Sequence, residues 1–280
     1  PIARPAWKLA PALVSGNTVV LKPASLAPSM TLEIAKAFDE AGLPKGVLNV
    51  VVGSGREVGD ALATSPSVAA VSFTGSHKVG HGIYQQMAPR MARAQMEMGG
   101  KNPTIVLADA DLDYAAKLVA MAGYMMTGQV CTATSRAIVD EKVADEFTEK
   151  LVAEAQARNV GNGLSEGVNM GPAVCAAELD GNLDYIKVAQ DEGAELCWGG
   201  ERLGEGDLEH GHFMSPAVIA NVKNDMRIAQ EEVFGPVIGV VKSGGFEEAI
   251  SLANDIEYGL SASIITRDIN KAMRYTDQIE

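Results

Sequence analysis

Cysteine is scarce: Cys131, Cys175 and Cys197 are the only three in a chain of 280 residues. They are odd in number, widely spaced and form no CxxC pair. That excludes a disulfide framework or a zinc site and fits free thiols in a reducing, cytoplasmic compartment. Histidine is nearly as scarce, with four residues. Its one close pair, His210 and His212, falls in a polar Gly/Glu loop expected to be solvated, not metal-binding. Basic charge is in deficit, 23 Lys+Arg against 36 Asp+Glu for a net charge of −13. A nucleic-acid partner would need a basic face, so that class is excluded. No apolar run approaches the roughly 20 residues that cross a bilayer, and no signal-peptide pattern is present, so no membrane partner is expected. Internal repeats and low-complexity segments are absent too. What is there is an ordinary globular composition, 47% hydrophobic and 21% charged. The length suffices to bury a substantial core in one large or two medium domains.

Short apolar runs alternate with amphipathic segments along the whole chain. A helix is expected over Ala3 to Val14, with Gly16-Asn17 as its stop. Thr18 to Leu21 is a short strand ended by Lys22-Pro23. Ser29 can cap a helix running through Ala41, with Gly42 and Pro44 beyond it. Val47 to Val52 forms a second strand, Gly53-Ser54-Gly55 leads into a helix over Arg56 to Ala63, and Val68 to Phe73 is a third strand. Thr74-Gly75-Ser76 opens a helix towards Met87. This alternation with short connections predicts parallel strands joined by right-handed crossovers, an α/β doubly wound sheet. Ligands of such sheets sit beyond the carboxyl ends of the strands, where Lys22, Gly53-Ser54-Gly55 and Thr74-Gly75-Ser76 all fall.

The second half continues the alternation. Strands are expected at Thr104 to Leu107, Arg136 to Val139, Glu195 to Trp198, Ala217 to Val222, Val237 to Val241 and Ser261 to Thr266. Helices are expected at Asp111 to Gly123, Glu141 to Arg158, Ala176 to Gln190, Phe246 to Ala253 and Asn270 to Gln278. The flexible pair Gly99-Gly100, after a strand-like Ala92 to Met98, is the best internal boundary, giving domains 1–99 and 100–280.

Several stretches could carry chemistry. Gly53-Ser54-Gly55-Arg56-Glu57-Val58-Gly59 follows a strand and opens a helix like a dinucleotide-binding turn, although its third glycine comes one residue late. It is equally readable as a tight helix–strand packing turn. The amides and hydroxyls of Thr74-Gly75-Ser76 could take a phosphate, and Lys22 could hold a ribose or phosphate or lie solvated. Glu97, just before Gly99-Gly100, is either a surface carboxylate or, if partly desolvated, a general base. Glu231 to Pro236 pairs acids with an aromatic before a Gly-Pro break. In Tyr124 to Arg136, Gly128 permits a sharp backbone path, so amides beside Cys131 could face a ligand. Cys131 is then either a buried structural cysteine or a thiolate nucleophile, and the other motifs favour the nucleophile.

Five blocks together resemble the aldehyde dehydrogenase superfamily: Gly16 to Pro23, Phe73-Thr74-Gly75-Ser76, Glu97-Met98-Gly99-Gly100-Lys101, Gly128-Gln129-Val130-Cys131 and Glu231 to Pro236. They stand in the family's order, and the resemblance covers essentially the whole chain. It implies a Rossmann-like NAD(P)-binding domain and an α/β catalytic domain, with Cys131 as nucleophile and Glu97 as general base. Lys22 and Ser25 would serve the adenosine ribose, and Ser76 with the Gly75 turn the pyrophosphate. Glu232 would bind the nicotinamide ribose and Phe234 would pack beside the ring. Gly55, Gly59, Phe73, Thr74, Val79 and Met98 complete the cofactor set, and no metal is implied. The expected substrate is a small aldehyde, with Cys131 to Arg136 most similar to semialdehyde-oxidising members such as the 2-oxoglutarate semialdehyde type. Arg136 would be either a positive charge near a substrate carboxylate or a structural salt-bridge partner.

Ser25 stands where many NAD-preferring members carry a glutamate that repels a 2′-phosphate, so NADP as well as NAD is expected to be accepted. The family's oxyanion-hole asparagine falls just before Pro1 and its closing C-terminal segment beyond Glu280. A truncated chain is therefore expected, from a protein that is a homo-oligomer at full length. Two other readings are a CoA-acylating relative, which the presence of Glu97 disfavours, and a structural protein reusing the fold, as lens crystallins do.

Overall fold

A computed structural model describes residues 2–280 and divides into two compact units, Pro1–Met98 and Gly99–Glu280. The first unit runs α1 (Ala3–Val14), β1 (Val19–Leu21), α2 (Pro28–Glu40), β2 (Leu48–Val50), α3 (Asp60–Thr64), β3 (Ala70–Thr74), α4 (His77–Met87) and β4 (Arg93–Glu97). Its strands form two parallel pairs, β1 with β2 and β3 with β4, where one continuous sheet was expected. Val71 and Phe73 of β3 alternate with exposed Ala70, Ser72 and Thr74, so each strand is half-covered, unlike one buried on both faces.

Two local starts differ from the sequence reading. Pro28, with its φ already helical, begins α2, so Ser29 lies inside the first turn and is not its cap. After β2, Gly55–Gly59 forms one turn of π-helix before α3. Ser54 caps it: its Oγ accepts from the Glu57 amide at 3.1 Å and donates to Glu57 Oε2 at 3.0 Å.

The second unit contains β5 (Asn102–Val106), α5 (Leu112–Tyr124), β6 (Thr134–Asp140), α6 (Ala144–Gln156), α7 (Ala176–Asp191), β7 (Glu195–Trp198), β8 (Arg202–Leu203), β9 (Phe213–Met214), β10 (Ala217–Val222), α8 (Arg227–Gln230), β11 (Val237–Ser243), α9 (Phe246–Asn254), β12 (Ser263–Ile265) and α10 (Ile269–Gln278). Six of these strands form one sheet in the order β12-β5-β6-β11-β10-β7. All of its ladders are parallel except β7, which runs antiparallel to β10. That departure follows from the connection: the small β8–β9 hairpin, and no crossover helix, links β7 to β10.

Side chains alternate between two cores, as a sheet covered on both faces requires. Ile105, Ile138, Ile219, Val237 and Val241 face the layer holding Leu179, Ile186, Phe246 and Ile250. Val106, Ala137, Val139, Val218, Ile238 and Val240 face Val119, Phe147 and Leu151. Among the described residues, no helix is long and apolar enough to cross a membrane.

Candidate active site

In the second unit, the loops that carry the singled-out residues sit at the amino ends of neighbouring parallel strands. Gly99-Gly100-Lys101 enters β5, the cysteine loop enters β6 and Glu231 to Pro236 enters β11. The carboxyl-end rule describes the first unit's turns but not these.

The cysteine loop is built by unusual backbone. Met126, Thr127 and Gly128 have φ of 52°, 62° and 66°, three successive residues in the left-handed region that side chains normally avoid. The surroundings hold this conformation. Thr127 Oγ1 donates to Gly171 O at 3.0 Å, and Gln129 Nε2 donates to Met126 O and Pro172 O, each at 3.2 Å. Gln129 Oε1 accepts from the Val174 amide at 2.8 Å. Gly128 is also required by space, because a Cβ there would overlap the Gly235 carbonyl. Cys131 then lies in a turn closed by Ala133 N to Val130 O, 2.9 Å. The buried Asn102 staples that turn to β5, its Nδ2 donating to Cys131 O at 2.8 Å and Ala133 O at 2.9 Å. Asn102 Oδ1 in turn accepts from Ser261 N. The half-buried thiol is thus carried on a rigid support, and all three cysteines lie outside disulfides.

Glu231 and Glu232 diverge. Glu231 forms a two-pronged ion pair with Arg227 and accepts from Tyr185 Oη at 2.7 Å; these bonds hold its carboxyl down at about 2. The Glu232 carboxylate lies against Gly99, where a Cβ would overlap it, and accepts from the Gly100 amide at 3.2 Å. Burial pushes the Glu232 carboxyl up, while the Gly100 bond and the Lys101 ammonium pull it down. Lys101, 2% exposed, is depressed to about 7 by burial and by Arg136, with Glu232 and Glu231 opposing. Phe234, φ 57°, sits in the same loop and is partly exposed.

Arg136 is engaged inside the fold. It is fully buried, and its guanidinium donates to Lys101 O (3.1 Å), Asn224 Oδ1 (3.0 Å), Leu252 O (3.1 Å) and Ala253 O (3.0 Å). The expected salt bridge is replaced by neutral acceptors: three carbonyls and one amide oxygen hold the guanidinium.

In the first unit, Lys22 Nζ donates to Pro23 O at 2.5 Å and reaches Gly53 O at 3.5 Å, so the lysine and the glycine turn meet. Gly53 is needed for packing, since a Cβ there would run into Val58. Gly55 and Gly59 are different: neither has a positive φ, and nothing lies within 4 Å of where their Cβ atoms would be. They leave an open ledge beside Lys22, and Ser25 is exposed at the same strand end. Phe73 packs over Gly75 and Gly80, and Met98 closes on Gly80. The Gly75 amide is not open to a phosphate as expected, because it donates to Glu97 O at 3.1 Å. Ser76 makes no side-chain cap at the start of α4, and Thr74 and Val79 are exposed beside it. The ledge at Gly55 and Gly59, the adjacent ammonium and the uncapped helix start suit a phosphate-bearing dinucleotide.

Glu97 has company that sequence reasoning missed. A pocket of about 210 Å³ is lined by Arg4, Trp7, Lys8, Thr74, Gln95 and Glu97. Lys8 comes from α1 and has no spacing signal linking it to β4, and Asn102 directly follows the Glu97 to Lys101 block with no pattern that points to its role. Among the described residues, no group of three or more His, Cys, Asp or Glu could hold a metal.

Comparison with known proteins agrees with this architecture. Residues 1–280 match the family described as "Aldehyde dehydrogenase family". The chain is 53% identical over 281 residues to an alpha-ketoglutarate semialdehyde dehydrogenase of Haloferax volcanii, covering 100% of this chain and 58% of that protein. It is 48% identical over 280 residues to an alpha-ketoglutaric semialdehyde dehydrogenase of Bacillus subtilis, covering 100% and 57%. A crystal structure of betaine aldehyde dehydrogenase from Staphylococcus aureus in complex with NAD+ superposes with a TM-score of 0.96 at 39% identity, over 99% of this chain and 55% of that one. The chain therefore spans little more than half the length of these relatives. The sequence motifs, the parallel sheets and these likenesses agree: the chain belongs to the aldehyde dehydrogenase family.

Proposed function

We propose that the protein oxidises an aldehyde, a semialdehyde of the 2-oxoglutarate type, to the carboxylic acid with NAD or NADP. The observation that carries the reading is the cysteine loop, where three left-handed residues and the Asn102 staple hold Cys131 in a preset turn. The two semialdehyde dehydrogenases similar to this chain support the substrate class.

The chemistry follows from the residues. The Cys131 thiolate adds to the aldehyde carbon, forming a C–S bond and an oxyanion. Bound NAD(P) supplies the hydride acceptor, and Cys131 is left carrying a thioester. Glu97 takes a proton from water, hydroxide adds to the thioester, and the C–S bond breaks to return the thiolate and release the acid. Lys22, Ser25, Gly55, Gly59 and Ser76 would hold the adenosine and phosphate end. Phe73, Thr74, Gly75, Val79, Met98 and Phe234 would line the remainder, and Glu232 would accept from the nicotinamide ribose. On this reading the first unit binds the cofactor and the second carries the nucleophile. The presence of Glu97 argues for water over CoA as the acceptor. The cysteine chemistry favours a reducing, cytoplasmic setting, and a homo-oligomer is proposed on family resemblance.

The test uses the full protein. Cys131→Ala should abolish turnover, and Glu97→Gln should release one burst of NAD(P)H and then stall. A Glu97→Gln enzyme with normal steady turnover would sink the base assignment. Ser25, neutral and exposed, should allow NADP; a preference for NAD of about a thousandfold in kcat/KM would contradict this.

A further inference from the structure

Four polar side chains of the first unit are joined in sequence on one face of the β3–β4 pair. Lys8 Nζ, from α1, donates to Ser72 Oγ at 2.8 Å and to Phe73 O at 3.1 Å. Ser72 Oγ bonds Gln95 Oε1, and Gln95 Nε2 donates to Glu97 Oε1 at 2.7 Å. Ser72 and Gln95 are register partners across the two strands, and Glu97 follows on the same face opposite Thr74.

The ends of this chain fix its direction. An ammonium can only donate and a carboxylate can only accept. The Ser72 hydroxyl, already accepting from Lys8, must therefore donate to Gln95 Oε1, and the Gln95 amide must present its N–H to Glu97. One orientation of the amide satisfies every member, and each bond polarises the next. An amide in the middle does not ionise, so the arrangement carries orientation and field and no proton. The pocket beside it has three charged lining groups, Arg4 and Lys8 from α1 and Glu97 itself, while Gln95 and Thr74 are neutral. Arg4 stacks 5.0 Å from the Trp7 ring. Burial pulls the Lys8 ammonium down and Glu97 pushes it up, so the two sense each other.

We propose that Gln95 is a positioning residue for Glu97, its amide holding the carboxylate in one orientation at the end of a hydrogen-bonded chain that starts at Lys8 and runs through Ser72. The proposal rests on the reading of Glu97 as the base that hydrolyses the thioester. A base held a fraction of an ångström out of place loses rate steeply, and the step it serves follows hydride release. Loss of Gln95 should therefore slow hydrolysis and spare acylation.

Stopped-flow formation of NAD(P)H by the full protein separates the two steps. Gln95→Met should keep the burst rate within about twofold and lower the steady rate about tenfold. A wild type without a burst should acquire one. Gln95→Glu, which has no amide N–H to donate to Glu97, should slow the steady rate at least as much, and Ser72→Ala should fall between wild type and Gln95→Met. Gln95 is exposed, so folding is not at stake, and unchanged melting confirms it. If Gln95→Met and Gln95→Glu keep the wild-type burst and steady rate while Glu97→Gln stalls, the proposal is overturned and the base reading stands. If Glu97→Gln turns over normally, both fall.

Discussion

Replacing Arg136 with Met removes the largest fully buried side chain among the described residues while keeping most of its apolar stem. Four acceptors lose their donor: the carbonyls of Lys101, Leu252 and Ala253, and Asn224 Oδ1. Each stranded buried acceptor costs about 1–3 kcal/mol. The sum is offset because a desolvated cation also disappears; burial already drags the guanidinium down to about 10, and the like charge on Lys101 is relieved. Breaking buried charged networks typically costs about 3–5 kcal/mol net, and this one should fall there. For a unit of roughly 150–250 residues, each kcal/mol shifts melting by about 2–4 °C, so a drop near 10 °C is expected. The chain has two tryptophans, Trp7 and Trp198. Fluorescence of Trp198 in a Trp7→Phe background therefore reports the second unit. Arg136→Lys should lose most of the same stability, because one ammonium cannot serve four divergent acceptors. A melting shift under about 2 °C would refute the reasoning. So would a KM that rises for a carboxylate-bearing aldehyde and not for an uncharged one, because Arg136 would then be touching substrate.

Two further outcomes follow from the same unit. Gly128→Ala should cost about 2–4 kcal/mol, combining left-handed strain with overlap on the Gly235 carbonyl; it should also change the rate at which iodoacetamide labels Cys131, and a loss under about 1 kcal/mol in urea unfolding would refute it. Lys101 binds its proton more weakly folded, at about 7, than its ordinary 10.5, so the unfolded chain holds more protons between those values and stability should rise with pH across that window. Lys101→Met should abolish that rise, and matching pH slopes for variant and wild type would show that burial does not weaken the lysine's hold on its proton.

The helices and strands of this protein are largely legible because its apolar runs are short and punctuated, as at Val19 to Leu21 before Lys22-Pro23. What the sequence hides is tertiary. The direction of β7 depends on a hairpin that looks like loop, and Pro28 displaces Ser29 from the cap by fixing its own φ. Arg136 opens a strand and looks like a surface charge until the carbonyls of Lys101, Leu252 and Ala253 converge on it. Cys131, Glu97 and Glu232 stand out by their motifs, yet nothing in those motifs shows that Glu232 lies against Gly99. Nor do they show that Gln95 faces Glu97, which depends on the face shared by two residues of one strand and on the partner strand that orders them.

The amino-end placement of the loops at Gly99, Cys131 and Glu231 divides the second unit's surface by use. The three loops enter adjoining, buried strands whose pairing fixes them as a block. A residue inserted there would throw a whole strand onto the wrong face. The opposite rim, with exposed Glu141 after β6 and Gly244 after β11, carries no such constraint. Tags, fluorophores or circular-permutation points belong on that rim, where the scaffold can be rewired without disturbing the loops at Gly99, Cys131 and Glu231.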